Sequence, residues 1–202
     1  MYRLILGKVS ALSARELPSA FIERAPQGVR RASWLAGRVL LSHIWSPLPD
    51  ISYGEQGKPA FSSNIPLWFN LSHSGDDIAL LVSDEGEVGC DIEVIRPRAN
   101  WRALATELFS PAEQAEIAAE PPNQQLAAFW RVWTCKEAIV KQRGGSAWQI
   151  ASIDSTAFST LSVSHCQAGN LSLAVCTPTP FMLGDRAWVE NKSAGGVYLQ
   201  LK

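Results

Sequence analysis

The chain has 202 residues, 47% hydrophobic and 18% charged, with a formal net charge of −1; it can bury a sizeable core as one domain or as two small, closely packed ones. So small a charge offers no global field to nucleic acid or to an anionic membrane, so both are excluded as partners and any anion must be met by local clustering. No apolar run approaches the ~20 residues of a membrane-spanning helix, and the first residues lack the charged and apolar regions of a signal peptide, which predicts a cytoplasmic protein.

Residues 2–10 alternate like an edge strand, and Pro18 to Arg24 read as a short helical turn. A strong helix is predicted from Pro26 to about Trp45, where Pro47 and Pro49 stop it. Gly54 to Phe61 is turn-rich and leads into a strand at 67–73, a turn at Ser74-Gly75-Asp76-Asp77 and a second strand at 78–82. Val88 to Ile95 reads as a strand closed by Arg96-Pro97-Arg98. Helices follow at 100–108, 111–119 and 124–142, the second capped by Ser110 with Pro111 next. The tail from Ile150 is strand-like, and its last dozen residues, rich in Gly and Ser, are expected to fray. Cys90, Cys135, Cys166 and Cys176 stand singly in apolar segments without C-x-x-C spacing, as buried reduced thiols would.

The stretch from Asn70 to Val82 is echoed from Ser162 to Val175, with its Ser72-His73 repeated as Ser164-His165. Each copy has a long helix upstream. The expectation is an α+β fold of two similar α+β halves, residues 1–97 and 98–202, facing one another across a pseudo-twofold cleft that holds the active site.

Asp91 and Glu93, two residues apart on a strand, point to the same face. On the long helix, Leu126, Trp130, Trp133, Glu137 and Lys141 share one stripe, so Glu137 sits on the face its helix uses for packing. Bringing such carboxylates together costs several kcal/mol per buried ion without a compensating cation, and three clustered oxygens suit a hard divalent ion such as Mg²⁺. Bland alternatives stay open: Asp91 and Glu93 as an outward polar face, Glu137 and Lys141 as a surface i,i+4 couple. The segments Gly57-Lys58-Pro59 and Asn70-Leu71-Ser72-His73-Ser74-Gly75 offer anion-binding groups, as do Arg30, Arg31 and Arg38 on one helix.

In order, Gly57-Lys58-Pro59, Phe69 to Gly75, Val88-Gly89-Cys90-Asp91-Ile92-Glu93 and Phe129-Trp130-x-x-Trp133-x-x-Lys136-Glu137-Ala138-x-x-Lys141 resemble the 4′-phosphopantetheinyl transferase superfamily, of the monomeric surfactin-synthetase-activator type. Leu108 to Glu113 also matches the family segment between the halves, and the likeness runs from about Arg30 to Trp148. The resemblance implies transfer of the 4′-phosphopantetheine arm of coenzyme A, the co-substrate, to a serine of an apo acyl carrier protein by a monomer with a pseudo-dimeric fold. It further implies Mg²⁺ held by Asp91, Glu93 and Glu137, with Glu137 helping to deprotonate the serine and Lys141 stabilising the departing phosphate. Lys58 is expected near the adenine, and Ser72, His73 and Arg31 around the 3′-phosphate, with Arg24, Arg30 and Arg38 as supplements. Lys136, about 100° around the helix from Glu137, is a less secure phosphate contact. A catalytically silent coenzyme A or carrier-binding module and a metal-dependent phosphohydrolase are the competing readings.

Overall fold

The computed structural model describes residues 1–62, 65–157 and 160–184, and the backbone of 189–191 and 197–201. Strand β1 (Tyr2–Lys8) runs into a short helix α1 (Val9–Ser13), then α2 (Ser19–Arg24) and α3 (Arg31–Ser42). A two-stranded ribbon, β2 (Ile51–Tyr53) and β3 (Pro59–Phe61), precedes the hairpin β4 (Trp68–Ser74) and β5 (Asp77–Ser83), and then β6 (Gly89–Val94). Three helices follow, α4 (Trp101–Leu108), α5 (Pro111–Ala119) and α6 (Gln125–Gln142), then the hairpin β7 (Ser162–Ala168) and β8 (Leu171–Thr177). Strands β9 (Val189–Asn191) and β10 (Val197–Leu201) end the described chain.

Two antiparallel sheets, ordered β4-β5-β1-β10-β9 and β6-β8-β7, make the frame of a mixed α and β fold consistent with the α+β class. Strand β1 is not the edge strand its alternation suggests: it lies between β5 and β10. Its two faces are both covered, Ile5 by α1 and α3, and Tyr2, Leu4 and Leu6 by Cys90, Ile92, Leu173 and Val175 of the second sheet. The tail expected to fray returns in part to pair with β1 through residues 197–201, while 192–196 lie outside the described residues. The tail from Ile150 is not yet strand either, because Ala147–Ser152 forms a 3-10 turn capped by Ser146.

The sequence echo corresponds to a recurring order of strand, helices and hairpin: β1, α3, β4, β5, then β6, α6, β7, β8. Each hairpin turns on a glycine with positive φ, Gly75 at 58° and Gly169 at 61°, a conformation that costs glycine nothing. Matching these turns puts Asn70, and not Ser72, opposite Ser164, so the repeated Ser-His pairs are out of step by two residues. Strand β6 pairs with β8, so Asp91 and Glu93 stand in the sheet of the second hairpin although they precede residue 97.

Helix α6 positions the rest of the site. Its Phe129, Trp130 and Trp133 join Trp101 and Phe109 in one aromatic cluster, and the Trp130 indole N–H donates to the Arg96 carbonyl at 3.1 Å. On its other side Ala138 packs toward β8, and the helix backbone at Ala138 and Gln142 presses so closely on Gly89 that no Cβ would fit there. That contact brings the last turns of α6 against β6. The four cysteines are buried and form no disulfide, and burial pushes the Cys90, Cys135 and Cys176 thiols up to about 12.

Candidate active site

The two sheets meet where β4 lies beside β6, joined by side chains instead of a backbone ladder. Asn70 Oδ1 accepts from the Cys90 amide (2.9 Å), Ser72 Oγ from Ile92 (3.3 Å) and Ser74 Oγ from Val94 (3.1 Å). Every second residue of one strand therefore meets every second amide of the other, in parallel. Asp91 sits at the middle rung, 4% exposed. Its Oδ1 accepts from Ser72 Oγ (2.8 Å) and Lys141 Nζ (2.5 Å), while Oδ2 is buried without a hydrogen-bond partner. One rung on, Glu93 Oε2 accepts from Ser74 Oγ at 2.5 Å.

Glu137 and Lys141, one turn apart on α6, face this strand. Burial raises the Glu137 carboxyl above the usual range; Lys141 opposes the shift, while Asp91 and Glu93 add to it. Burial likewise raises Glu93, against the Ser74 hydrogen bond, with Asp91 reinforcing it. Burial works against the Lys141 ammonium, but Asp91, Cys90 and Glu137 outweigh it and raise its pKa. Asp91, Glu93 and Glu137 thus feel one another, yet among the described residues no three potential ligand side chains stand close enough to form a finished metal cage.

A cleft leads away from these groups. Beside Glu137 and Lys141, a cavity of about 350 Å³ is lined by Lys58, Asn70 and the Gly144–Ala147 loop. It shares Pro59 and Leu71 with a larger cavity of about 750 Å³ that is lined by Arg24, Arg30, Arg38, Tyr53 and His73. Arg38 is 5% exposed, stacks on Trp34 (4.1 Å to the ring centre) and donates to Tyr53 Oη (2.6 Å). Among the described residues no carboxylate pairs with it. Burial lowers its pKa, against the Tyr53 contact. His73 borders the same cavity, and burial, with Lys141 nearby, lowers its pKa, so the free ring is neutral at pH 7.

The expected site residues are thus distributed unevenly. Asp91, Glu93, Glu137, Lys141 and Ser72 converge at the junction of the sheets, and His73 borders the large cavity. Arg31 is not among the residues lining it; its guanidinium donates to the Ala25 and Ile22 carbonyls at 3.4 Å. Lys58 lines the smaller cavity, but its ammonium is held by Glu87 (2.5 Å) and by the Val88 and Gln142 carbonyls (both 3.0 Å). Lys136 points away into the core, where it pairs with Glu113 (2.6 Å) and donates to the Ile153 carbonyl.

Residues 87–188 match the family described as the 4′-phosphopantetheinyl transferase superfamily. Over 183 residues the chain is 75% identical to the 4′-phosphopantetheinyl transferase AcpT of Salmonella typhimurium, covering 91% of this chain and 95% of that one. The chain belongs to the 4′-phosphopantetheinyl transferase superfamily. It is 74% identical to AcpT of Escherichia coli (strain K12), again over 91% of its length and 94% of the relative's. The 4′-phosphopantetheinyl transferase HetI of Nostoc is 31% identical over 155 residues, 72% of this chain and 65% of that one. Members of this superfamily move phosphopantetheine from coenzyme A to carrier proteins, which makes the chain an enzyme of the transferase class. Among the described residues no helix is long and apolar enough to cross a membrane.

Arg38, expected only as a supplement at the 3′-phosphate, is the buried arginine of the larger cavity, and Ser74, given no role of its own by the sequence, bonds Glu93. The signal for Arg38 was present: Trp34 stands four residues before it, one helical turn away, where an indole covers a guanidinium.

Proposed function

We propose that this chain transfers the 4′-phosphopantetheine arm of coenzyme A to a serine hydroxyl of an apo acyl carrier protein, with Mg²⁺, releasing adenosine 3′,5′-bisphosphate. It works as a cytoplasmic monomer, with the cleft between two halves related by a pseudo-twofold, β6 going with the second half because it pairs with β8. The Asp91 carboxylate carries the reading: one oxygen is doubly hydrogen-bonded and the other is buried with no partner. A buried acceptor without a donor is costly, and a hard cation would satisfy it.

The donor set fits such a cation. Asp91 Oδ2, Glu93 and Glu137 supply oxygens from two elements, and an ion that keeps several waters and binds substrate phosphates needs no finished protein cage. When bound, Mg²⁺ would neutralise charge on the pyrophosphate as the phosphoanhydride breaks. Glu137, its pKa raised by burial, takes the proton of the attacking serine directly or through water. Lys141, held in the charged form, stabilises the departing phosphate once it turns from Asp91. Arg24, Arg30, Arg38 and His73 surround the nucleotide end in the larger cavity. Arg31 serves by fixing the turn after α2, and Lys58 by fastening β6 to the end of α6 beside the cleft.

The test is incubation of protein, Mg²⁺ and coenzyme A with and without apo carrier protein. A transferase forms adenosine 3′,5′-bisphosphate only with carrier present. Product without carrier indicates a hydrolase, and no product in either mixture indicates a binding module.

A further inference from the structure

We infer that Ser72 and Ser74 are positioning residues for the two strand carboxylates; this rests on the metal site proposed above. A serine hydroxyl has one hydrogen to give and two lone pairs to receive with. The single Ser72 hydrogen goes to Asp91 Oδ1 at 2.8 Å, and its lone pairs take the Ile92 amide (3.3 Å) and the Lys141 ammonium (3.0 Å). Ser74 repeats the device one rung along, giving its hydrogen to Glu93 Oε2 at 2.5 Å and accepting from the Val94 amide at 3.1 Å. Both serines are buried, so water does not compete strongly for either bond.

The consequence lies in the orientation of Asp91. Ser72 holds Oδ1, joined in the free chain by Lys141, so rotation of the carboxylate breaks at least the Ser72 bond, and Oδ2 stays presented without a partner. Groups that orient a metal-ligating carboxylate are commonly worth 10–100-fold in metal affinity or activity. Asn70 is a built-in control. It bridges β4 to the Cys90 amide by the same kind of bond, and no hydrogen bond joins its side chain to Asp91, Glu93 or Glu137.

Mn²⁺, read by its electron paramagnetic resonance signal, is titrated into the full chain with coenzyme A present. Ser72→Ala and Ser74→Ala should each weaken Mn²⁺ binding by roughly ten-fold. Asn70→Ala should lower thermal stability and leave Mn²⁺ affinity unchanged, and Ser72→Thr, which keeps the hydroxyl, should restore most of the loss. Unchanged Mn²⁺ affinity in Ser72→Ala and Ser74→Ala overturns the inference, as does an equal loss in Asn70→Ala, which would mean general loosening. A wild-type chain that neither binds Mn²⁺ nor modifies carrier overturns the metal reading beneath it; one that does both while Ser72→Ala behaves identically overturns the positioning role alone.

Discussion

Replacing Lys136 by Met separates a structural role from a catalytic one, because the residue is adjacent to Glu137 yet lies wholly inside the protein. Lys136 and Glu113 are both 0% exposed and paired at 2.6 Å. Glu113 also accepts from the Ser110 amide (2.8 Å) and from the Ser155 amide and hydroxyl (both 2.7 Å), so it ties α5, α6 and the 153–155 segment together. Removing the ammonium strands a fully buried carboxylate, and breaking one partner of such a pair costs about 3–5 kcal/mol. For a chain of this size each kcal/mol moves the melting temperature by about 2–4 °C, so Lys136→Met should lose roughly 6–20 °C in a calorimetric scan. The double variant Glu113→Gln/Lys136→Met should recover part of that loss, since no lone charge remains. Well below the midpoint, kcat/KM of Lys136→Met should stay within about two-fold of wild type. A Lys136→Met protein that melts normally but has lost its activity would refute this reasoning and place the ammonium on substrate phosphate.

The same geometry sets three further outcomes. Glu93 and Glu137 are both raised above 4.5, chiefly by burial, so the folded chain holds their protons more tightly than the unfolded chain. Metal-free stability should therefore fall as pH rises from 4.5 through the raised folded values, and Glu137→Gln should flatten that slope and raise the metal-free melting temperature at pH 7 while abolishing transfer. Arg38→Met should weaken coenzyme A by about ten-fold or more relative to its 3′-dephospho form, whereas Arg31→Met should not change that preference; calorimetric titration of both ligands decides. Exposed Arg96 and Arg102 flank Arg98, which lies over Trp130 and Trp133 at 5.7 and 5.2 Å, so Arg96→Glu/Arg102→Glu should raise KM for carrier and leave KM for coenzyme A unchanged.

What could be read in advance was whatever has a local cause. The Ser110-Pro111-x-Glu113 capping box starts α5 where expected, and the Trp130, Trp133, Glu137 stripe runs from aromatic core to cleft. The positive-φ turns at Gly75 and Gly169 set both hairpins. Long-range partners had no such signature. Strand β1 looks like an edge because β10, which covers one side of it, comes from the far end of the chain. Lys136 finds its acid 23 residues upstream, where Glu113 also closes the capping box with Ser110. Arg31 and Arg38, both read as anion-binding groups on one helix, part ways: the Ile22 and Ala25 carbonyls at the end of α2 take the first, and Trp34 with Tyr53 hold the second. Nothing local reveals that β6 lies in parallel register beside the Asn-Leu-Ser-His segment, so the bond from its serine to Asp91 had no signature in the sequence.

The proposed transfer depends on a divalent cation and on Asp91 at the junction of the two sheets. Its most direct test is the intact mass of an apo acyl carrier protein after incubation with this chain, coenzyme A and Mg²⁺. The carrier should gain one phosphopantetheine mass with the wild type, and none with chelator present or with Asp91→Asn, whose melting temperature should not fall below that of the metal-free wild type. A full mass gain by Asp91→Asn, or by the wild type with every divalent cation removed, would contradict it.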